Sequence, residues 1–176
     1  MLGSMARAFG VSVFFFVLLG LAYPLAETGI GQGLFSHQAN GSLTAYGSTL
    51  VGQHWQGPKW FLGRPDADNP MATGGTNLGP RSSLLIQDVR KQIALLHREG
   101  ITPTPDLITT SGSGVDPDIS PGDAYAQVNA VARARGLPVA AVRRLVAANI
   151  EHPEFGFLGS PYINVLQLNE ALAGVR

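Results

Sequence analysis

The chain contains no cysteine. A disulfide scaffold, a lipid anchor on Cys, a Cys-ligated zinc and a thiol nucleophile are therefore all excluded. Charge is also scarce: only 14% of the 176 residues are Asp, Glu, Lys or Arg, and 12 basic residues balance 12 acidic ones. There is no electrostatic footprint for nucleic acid or for an anionic membrane surface. No internal repeat and no long linker is visible. Gly (22) and Pro (12) are plentiful but scattered through apolar sequence, which points to a loop-rich folded domain rather than disorder. The length fits one ordinary domain plus an anchor.

The longest uncharged apolar run is Ala8 to Ala26, nineteen residues of which eleven are Phe, Val or Leu. At about 1.5 Å per residue such a helix nearly crosses a hydrocarbon core of about 30 Å. Its insertion is favoured by roughly 5 kcal/mol before its polar and small residues are counted against it. Tyr23 suits the interface, and Pro24 is tolerable in a terminal turn. The competing reading is a cleaved signal peptide behind Arg7. The run exceeds the usual apolar core of such a peptide, and Pro24-Leu25-Ala26 is a poor cleavage site. Arg7 lies on one side of the run, while the other side opens with Glu27 and has no Lys or Arg before Lys59. The expected organisation is a cytoplasmic N-terminus over 1–7, a membrane helix over 8–26 and an extracytoplasmic domain over 27–176.

Within the domain, Ser42–Tyr46 and Lys59–Leu62 are candidate strands. Leu85, Val89, Ile93 and Leu96 recur at helical spacing, and Gly100 is placed to stop that helix. Ser120-Pro121-Gly122-Asp123 combines an N-cap, a first-turn proline and an acidic third position, opening a helix that should end at Gly136. A third helix starts at Pro138 and buries Val142, Leu145 and Val146. A last one begins near Asn164 and uses Leu168 and Leu172. The class is α+β, with helices on a small antiparallel sheet.

Residue types alone give little chemistry. The glycine-rich stretches Ser111–Gly114 and Thr73–Asn77 lack the Lys-Ser/Thr ending of a phosphate loop and the dinucleotide fingerprint, so turns explain them more simply than a nucleotide does. Asp116, Asp118 and Asp123 do not form a calcium loop, being interrupted by Pro117 and Pro121 and lacking a closing Glu. His37, His54, His97 and His152 accompany many serines, but there is no G-x-S-x-G elbow. Trp55, Trp60 and Phe61, around Gly57-Pro58, form an aromatic cluster suited to a core or, second, to a protein contact. A tethered hydrolase would need a nucleophile and base converging on a pocket, and a solute-binding module a polar cleft. An interaction subunit needs neither.

Six strings in order behind a single anchor carry a closer resemblance. They are FSHQANGS (35–42), GSTLVGQ (47–53), FLGRP (61–65), GGTNLGP (74–80), TSGSGVDPDIS (110–120) and FGFLGSPYINVLQLN (155–169). Together they resemble KdpC, the small subunit of the bacterial Kdp potassium-transporting P-type ATPase, over about Leu18 to Leu172. The residues that carry the likeness are Asn40, Gly52, Gln53, Gly63, Arg64, Pro65, Asn77, Ser111, Ser113, Asp116, Ser120, Asn164 and Asn169. Asp118, Ser160 and Tyr162 depart from the family pattern, which often has His, Glu and Arg there.

The resemblance implies an accessory subunit in a hetero-oligomer with a channel-like potassium-binding subunit and an ATP-hydrolysing pump subunit. It implies no catalytic residue and no metal or cofactor held by this chain, ATP and potassium being used by the complex. The family is also described as a catalytic chaperone that raises the pump subunit's affinity for ATP. Trp55, Trp60 and Arg64 are the expected partner contacts, each with a competing role in the fold.

Overall fold

A computed structural model describes residues 2–66 and 73–175. It divides into two compact units, Met1–Leu43 and Thr44–Arg176, taken here one at a time.

The first unit is helical. α1 (Leu2–Val17) continues through a π-helical turn (Leu18–Ala22) into α2 (Tyr23–Leu34), and a short α3 (Ser36–Ala39) follows. The π turn has a local cause. A proline inside a helix collides with the carbonyl four residues back, here Gly20, and widening the preceding turn relieves that collision. The Tyr23 N–H accordingly reaches back five residues to the Leu18 carbonyl. Helix therefore extends past both ends of the uncharged run 8–26, because hydropathy limits what can sit in lipid and not where hydrogen bonding stops. From Gly3 to Leu34 it is long and apolar enough to cross a membrane, and its most apolar window is wholly unburied by protein. At about 1.5 Å per residue its 32 residues reach on the order of 48 Å, beyond a bilayer core of about 30 Å. After α3, the Asn40 carboxamide donates to the Ser36 carbonyl at 2.6 Å and pairs with the Gln32 carboxamide.

The second unit is built on α6 (Pro121–Arg135). Its side chains are buried on two faces, with Ala124, Val128 and Val131 in one core and Ala130 in another. Alanines let neighbouring elements come close, and that suits a helix covered on both sides. The larger core also takes Val142 and Val146 from α7 (Val139–Ala148), Leu168 and Leu172 from α8 (Val165–Ala173), and Phe61. The smaller one holds Leu62, Leu96 from α4 (Ser83–Glu99), Ile101, and Leu107 from the short α5 (Pro105–Ile108).

The expected helix ends are where their chemistry puts them. Gly100 and Gly136 stop α4 and α6 in the left-handed conformation, while Ser120 and Asn164 cap α6 and α8 with side-chain oxygens. Val142 and Val146 are buried and Leu145 is half-buried. The sheet has two strands, β1 (Asp118–Ile119) antiparallel to β2 (Ile163–Asn164). The class is α+β, as read from the sequence.

Neither expected strand forms. Thr44 to Gly47 is a turn, in which the Gly47 carbonyl accepts from both the Thr44 N–H and its hydroxyl. Lys59–Leu62 fails for a more informative reason. Phe61 and Leu62 are buried, so their peptide groups need partners. Two carboxamides supply them in place of a neighbouring strand. Asn169 accepts from the Phe61 N–H and donates to its carbonyl, both at 2.9 Å. Gln127 does the same for Leu62 at 2.7 and 3.0 Å. Each side chain imitates one peptide unit of a ladder, locking the segment between α6 and α8.

Candidate functional site

Four of the strings, 47–53, 61–65, 74–80 and 110–120, meet at one place in the second unit, around the loop Ser111–Asp116. At its centre is the Asp66 carboxylate. One oxygen accepts from the Ser111 N–H at 2.7 Å, and the other accepts from the Ser111 hydroxyl at 2.8 Å and the Asp116 N–H at 2.7 Å. The Gly114 and Val115 amides donate to the Ser111 and Ser113 hydroxyls. A glycine-serine loop presents inward amides that could cradle a phosphate. Here a carboxylate of the same chain fills that cradle, and the amides of Ser111, Gly114, Val115 and Asp116 are all engaged.

Glycines let other strands of the chain approach. A Cβ on Gly114, whose φ is +71°, would lie 2.6 Å from the Gly74 carbonyl oxygen. One on Gly52 would lie 2.7 Å from the Asp116 carbonyl oxygen, because the Gly52 N–H donates to the adjoining Val115 carbonyl at 2.8 Å. The Gly74 N–H donates to the Ser113 carbonyl at 2.6 Å. The conformational and steric freedom of glycine is thus required at 52 and 114.

Arg64 ties the hub to α5. Its guanidinium makes an ion pair with Asp106 at 2.7 Å, donates to the Thr109 hydroxyl and the Thr110 carbonyl at 3.3 Å, and lies 4.0 Å from Asp116. The other Asp106 oxygen accepts from the Ser120 N–H at 3.1 Å. The Ser120 hydroxyl bonds the Asp123 carboxylate while accepting from the Asp123 N–H at 3.2 Å.

Asp106 and Asp123 therefore sit as neighbouring carboxyls at the start of α6. Burial pushes Asp106 above the ordinary carboxylate range, and the hydrogen bond to Asp123 reinforces it, with Arg64 pulling the other way. Burial also raises Asp123, but the Ser120 and Thr104 hydroxyls and the Asp106 carboxyl outweigh it and hold it low. The Thr104 approach is loose, since neither Thr104 Oγ1 nor Asp123 Oδ1 has a hydrogen bond of ordinary geometry. At the other end of the loop, the Asp116 carboxylate turns back onto the Asp118 N–H. Asp118 in turn accepts from Asn164, which also reaches the Thr49 carbonyl. Asp118 is raised first by burial and then by Asp116 and Glu151, against the Asn164 hydrogen bond that lowers it.

Two clefts flank the Arg64 segment. One of about 370 Å³ is lined by Gly52, Gln53, Arg64, Asp66 and Asp116, and one of about 520 Å³ by Trp55, Leu62, Arg64, Gln92 and Glu99. The histidines do not converge there as a set: His54 lines both clefts, whereas His37, His97 and His152 are exposed elsewhere. Among the described residues, no group of three or more His, Asp or Glu is placed to hold a metal.

Of the expected partner contacts, Arg64 is engaged in the hub. Trp55 and Trp60 pack on each other with ring centroids 4.9 Å apart, and the Arg135 guanidinium stands 4.4 Å over the Trp60 ring. Gln53 folds back onto the Val51 carbonyl, Pro65 lines the second cleft beside Arg64, and Gly63 adjoins Val165. Asn77 is exposed with a φ of +54°, and Asn40 belongs to the first unit. Sequence reasoning missed Asp66, Asp106 and Gln127. Asp66 adjoins the FLGRP string, a signal that could have drawn attention to it. Asp106 and Gln127 carry no signal short of the fold.

A lone apolar N-terminal helix joined to a domain whose polar residues are bound to one another describes a membrane-anchored protein built around a structural loop hub. The family described as "KdpC: K+-transporting ATPase, c chain" matches residues 5–174, and the chain belongs to it. Among its relatives, the "Potassium-transporting ATPase KdpC subunit" of Sorangium cellulosum is 49% identical, over 90% of this chain and 91% of that one. The proteins of that name from Burkholderia ambifaria and Geobacter sulfurreducens are 48% and 44% identical. The alignments cover 87% and 91% of this chain and 86% and 92% of those proteins. The chain is thus a potassium-transporting ATPase subunit of the KdpC family.

Proposed function

We propose that this chain is a non-hydrolytic accessory subunit, assembling with a potassium-binding channel-like subunit and an ATP-hydrolysing pump subunit. Its N-terminus lies in the cytoplasm and its domain outside the inner membrane. The observation that supports this reading is the inward accounting of the hub. Ser111 and the Asp116 N–H bond Asp66, Ser113 bonds Ser111, Arg64 pairs with Asp106, and Ser120 bonds Asp106 and Asp123, so the residues that look most like chemistry hold loops in place. Trp55, Trp60 and Arg64 enter this reading as candidate partner contacts, each also packed or bonded within the fold.

Any increase in ATP affinity conferred on the pump subunit is then indirect. The nucleotide of a P-type pump is cytoplasmic, whereas this domain is outside, so the effect travels through packing of the membrane helices. A photoreactive ATP analogue applied to the purified complex tests this, together with pull-down through a tag on this chain. Both partners should be retrieved, and label should fall on the pump subunit alone. Competable labelling of this chain would refute the non-nucleotide reading.

A further inference from the structure

One part of the second unit turns large apolar side chains outward. Between Glu151 and Tyr162 the chain makes a projecting finger. At its base the two residues exchange backbone hydrogen bonds at 2.9 and 3.1 Å, and nearer the tip Glu154 and Leu158 do the same at 3.1 and 2.9 Å. Phe155 is 86% exposed and Phe157 80%, with Leu158 and Tyr162 also open to solvent. Phe155 has a φ of +53°, a left-handed conformation rare for a bulky side chain, and Gly156 and Gly159 share positive φ on either side of Phe157. A chain seeking only to fold would turn these rings inward or replace them. Here the ladder pairs and glycines fix them outward, which is the pre-organisation that makes a contact strong.

The surroundings indicate what kind of surface they meet. No Lys or Arg occurs from 145 to 175, while Glu151 and Glu154 flank the tip. Asp118 and Glu151 share a cleft of about 270 Å³ with Tyr162 at the finger's base. None of these three carboxylates forms an ion pair among the described residues. Anionic lipid headgroups would be repelled by such a flank. An apolar tip with an acidic rim instead matches a protein socket lined by apolar groups and edged by Lys or Arg.

Building on the accessory-subunit reading above, we infer that the 151–162 finger is a docking element, its Phe155 and Phe157 rings inserting into a basic-rimmed apolar socket on another subunit of the transporting complex. The finger shares no residue with the partner contacts expected from the sequence, Trp55, Trp60 and Arg64.

The test places a photoreactive phenylalanine analogue at position 157 of the full chain, co-expressed with the other subunits, and irradiates intact membranes. The expected product is an adduct with another subunit, with a yield at least ten-fold lower in the Glu151→Lys, Glu154→Lys double variant. That variant should melt as the parent does, since both side chains are exposed. No adduct, an adduct with phospholipid only, or one with a second copy of this chain only would overturn the docking assignment. An adduct indifferent to the charge reversal would overturn the basic-rimmed socket. Failure of the unaltered chain to co-purify with any other subunit would instead count against the accessory reading itself.

Discussion

Replacing Asn169 by Leu probes the least ordinary feature of the fold. Leu has the same number and branching of side-chain heavy atoms as Asn, with bulkier methyl ends, but can neither donate nor accept a hydrogen bond. Asn169 and Phe61 are each 0% exposed, so no water replaces the lost partners. Both the Phe61 N–H and its carbonyl would be left unsatisfied. At about 1–3 kcal/mol for each orphaned group, the expected destabilisation is roughly 2–6 kcal/mol, a large part of a typical domain's stability. The added apolar contact of the Leu side chain offsets only part of it. The chain offers its own reporter, because both tryptophans, Trp55 and Trp60, lie in the second unit beside this segment and none lies in the anchor. Urea unfolding of the full chain in detergent, followed by tryptophan fluorescence, should show the midpoint falling steeply with little change in slope. A variant as stable as the parent would show that the carboxamide pairing contributes nothing net, and the argument that it replaces a strand would fail.

Further outcomes are expected at the hub and in the anchor. Ser120→Ala should cost roughly 0.5–2 kcal/mol in the same assay by uncapping α6, and an unchanged midpoint would refute the cap. Gly114→Ala should destabilise strongly, since φ is +71° and the new Cβ meets the Gly74 carbonyl, whereas Gly112→Ala has open space and should be tolerated; equal effects would contradict the close-packed loops. Asp118 has its folded pKa raised by burial, so the folded state holds that proton more tightly than the unfolded chain, and its contribution to stability is present in acid and lost as pH rises through the folded value. Asp118→Asn should therefore be more stable than the parent at neutral pH and lose that advantage in acid, and the opposite ordering would reverse the sign. Protease added to intact spheroplasts should digest the domain; protection, or a mature N-terminus near Glu27, would contradict the proposed topology.

What was legible in the sequence was local. Ser120 and Asn164 as caps, Gly100 and Gly136 as stops and the spacing of Leu168 and Leu172 each depend on a few neighbouring residues, and the structure has all of them. The short sheet was misplaced because its strands are two residues each, too brief to alternate, while the apolar segment 59–62 found its partners in side chains 65 and 108 residues away. No periodicity reports such pairing. The hub was half legible: its strings were visible, yet Asp66 as the internal anion is apparent only when 66 and 111 are brought together. The finger's outward rings were hidden for the opposite reason, since Phe-Gly-Phe-Leu reads as core until burial is known.

The central claim is that this chain supports transport by assembly rather than by chemistry. It is tested most directly by potassium-stimulated ATP hydrolysis in the purified complex, measured beside subunit recovery for Ser113→Ala, Asp116→Ala and His152→Ala. Activity should fall only in proportion to the complex recovered, leaving turnover per assembled complex constant across the three. A variant that assembles fully yet loses turnover by orders of magnitude would place a side chain of this subunit in the reaction and contradict the account.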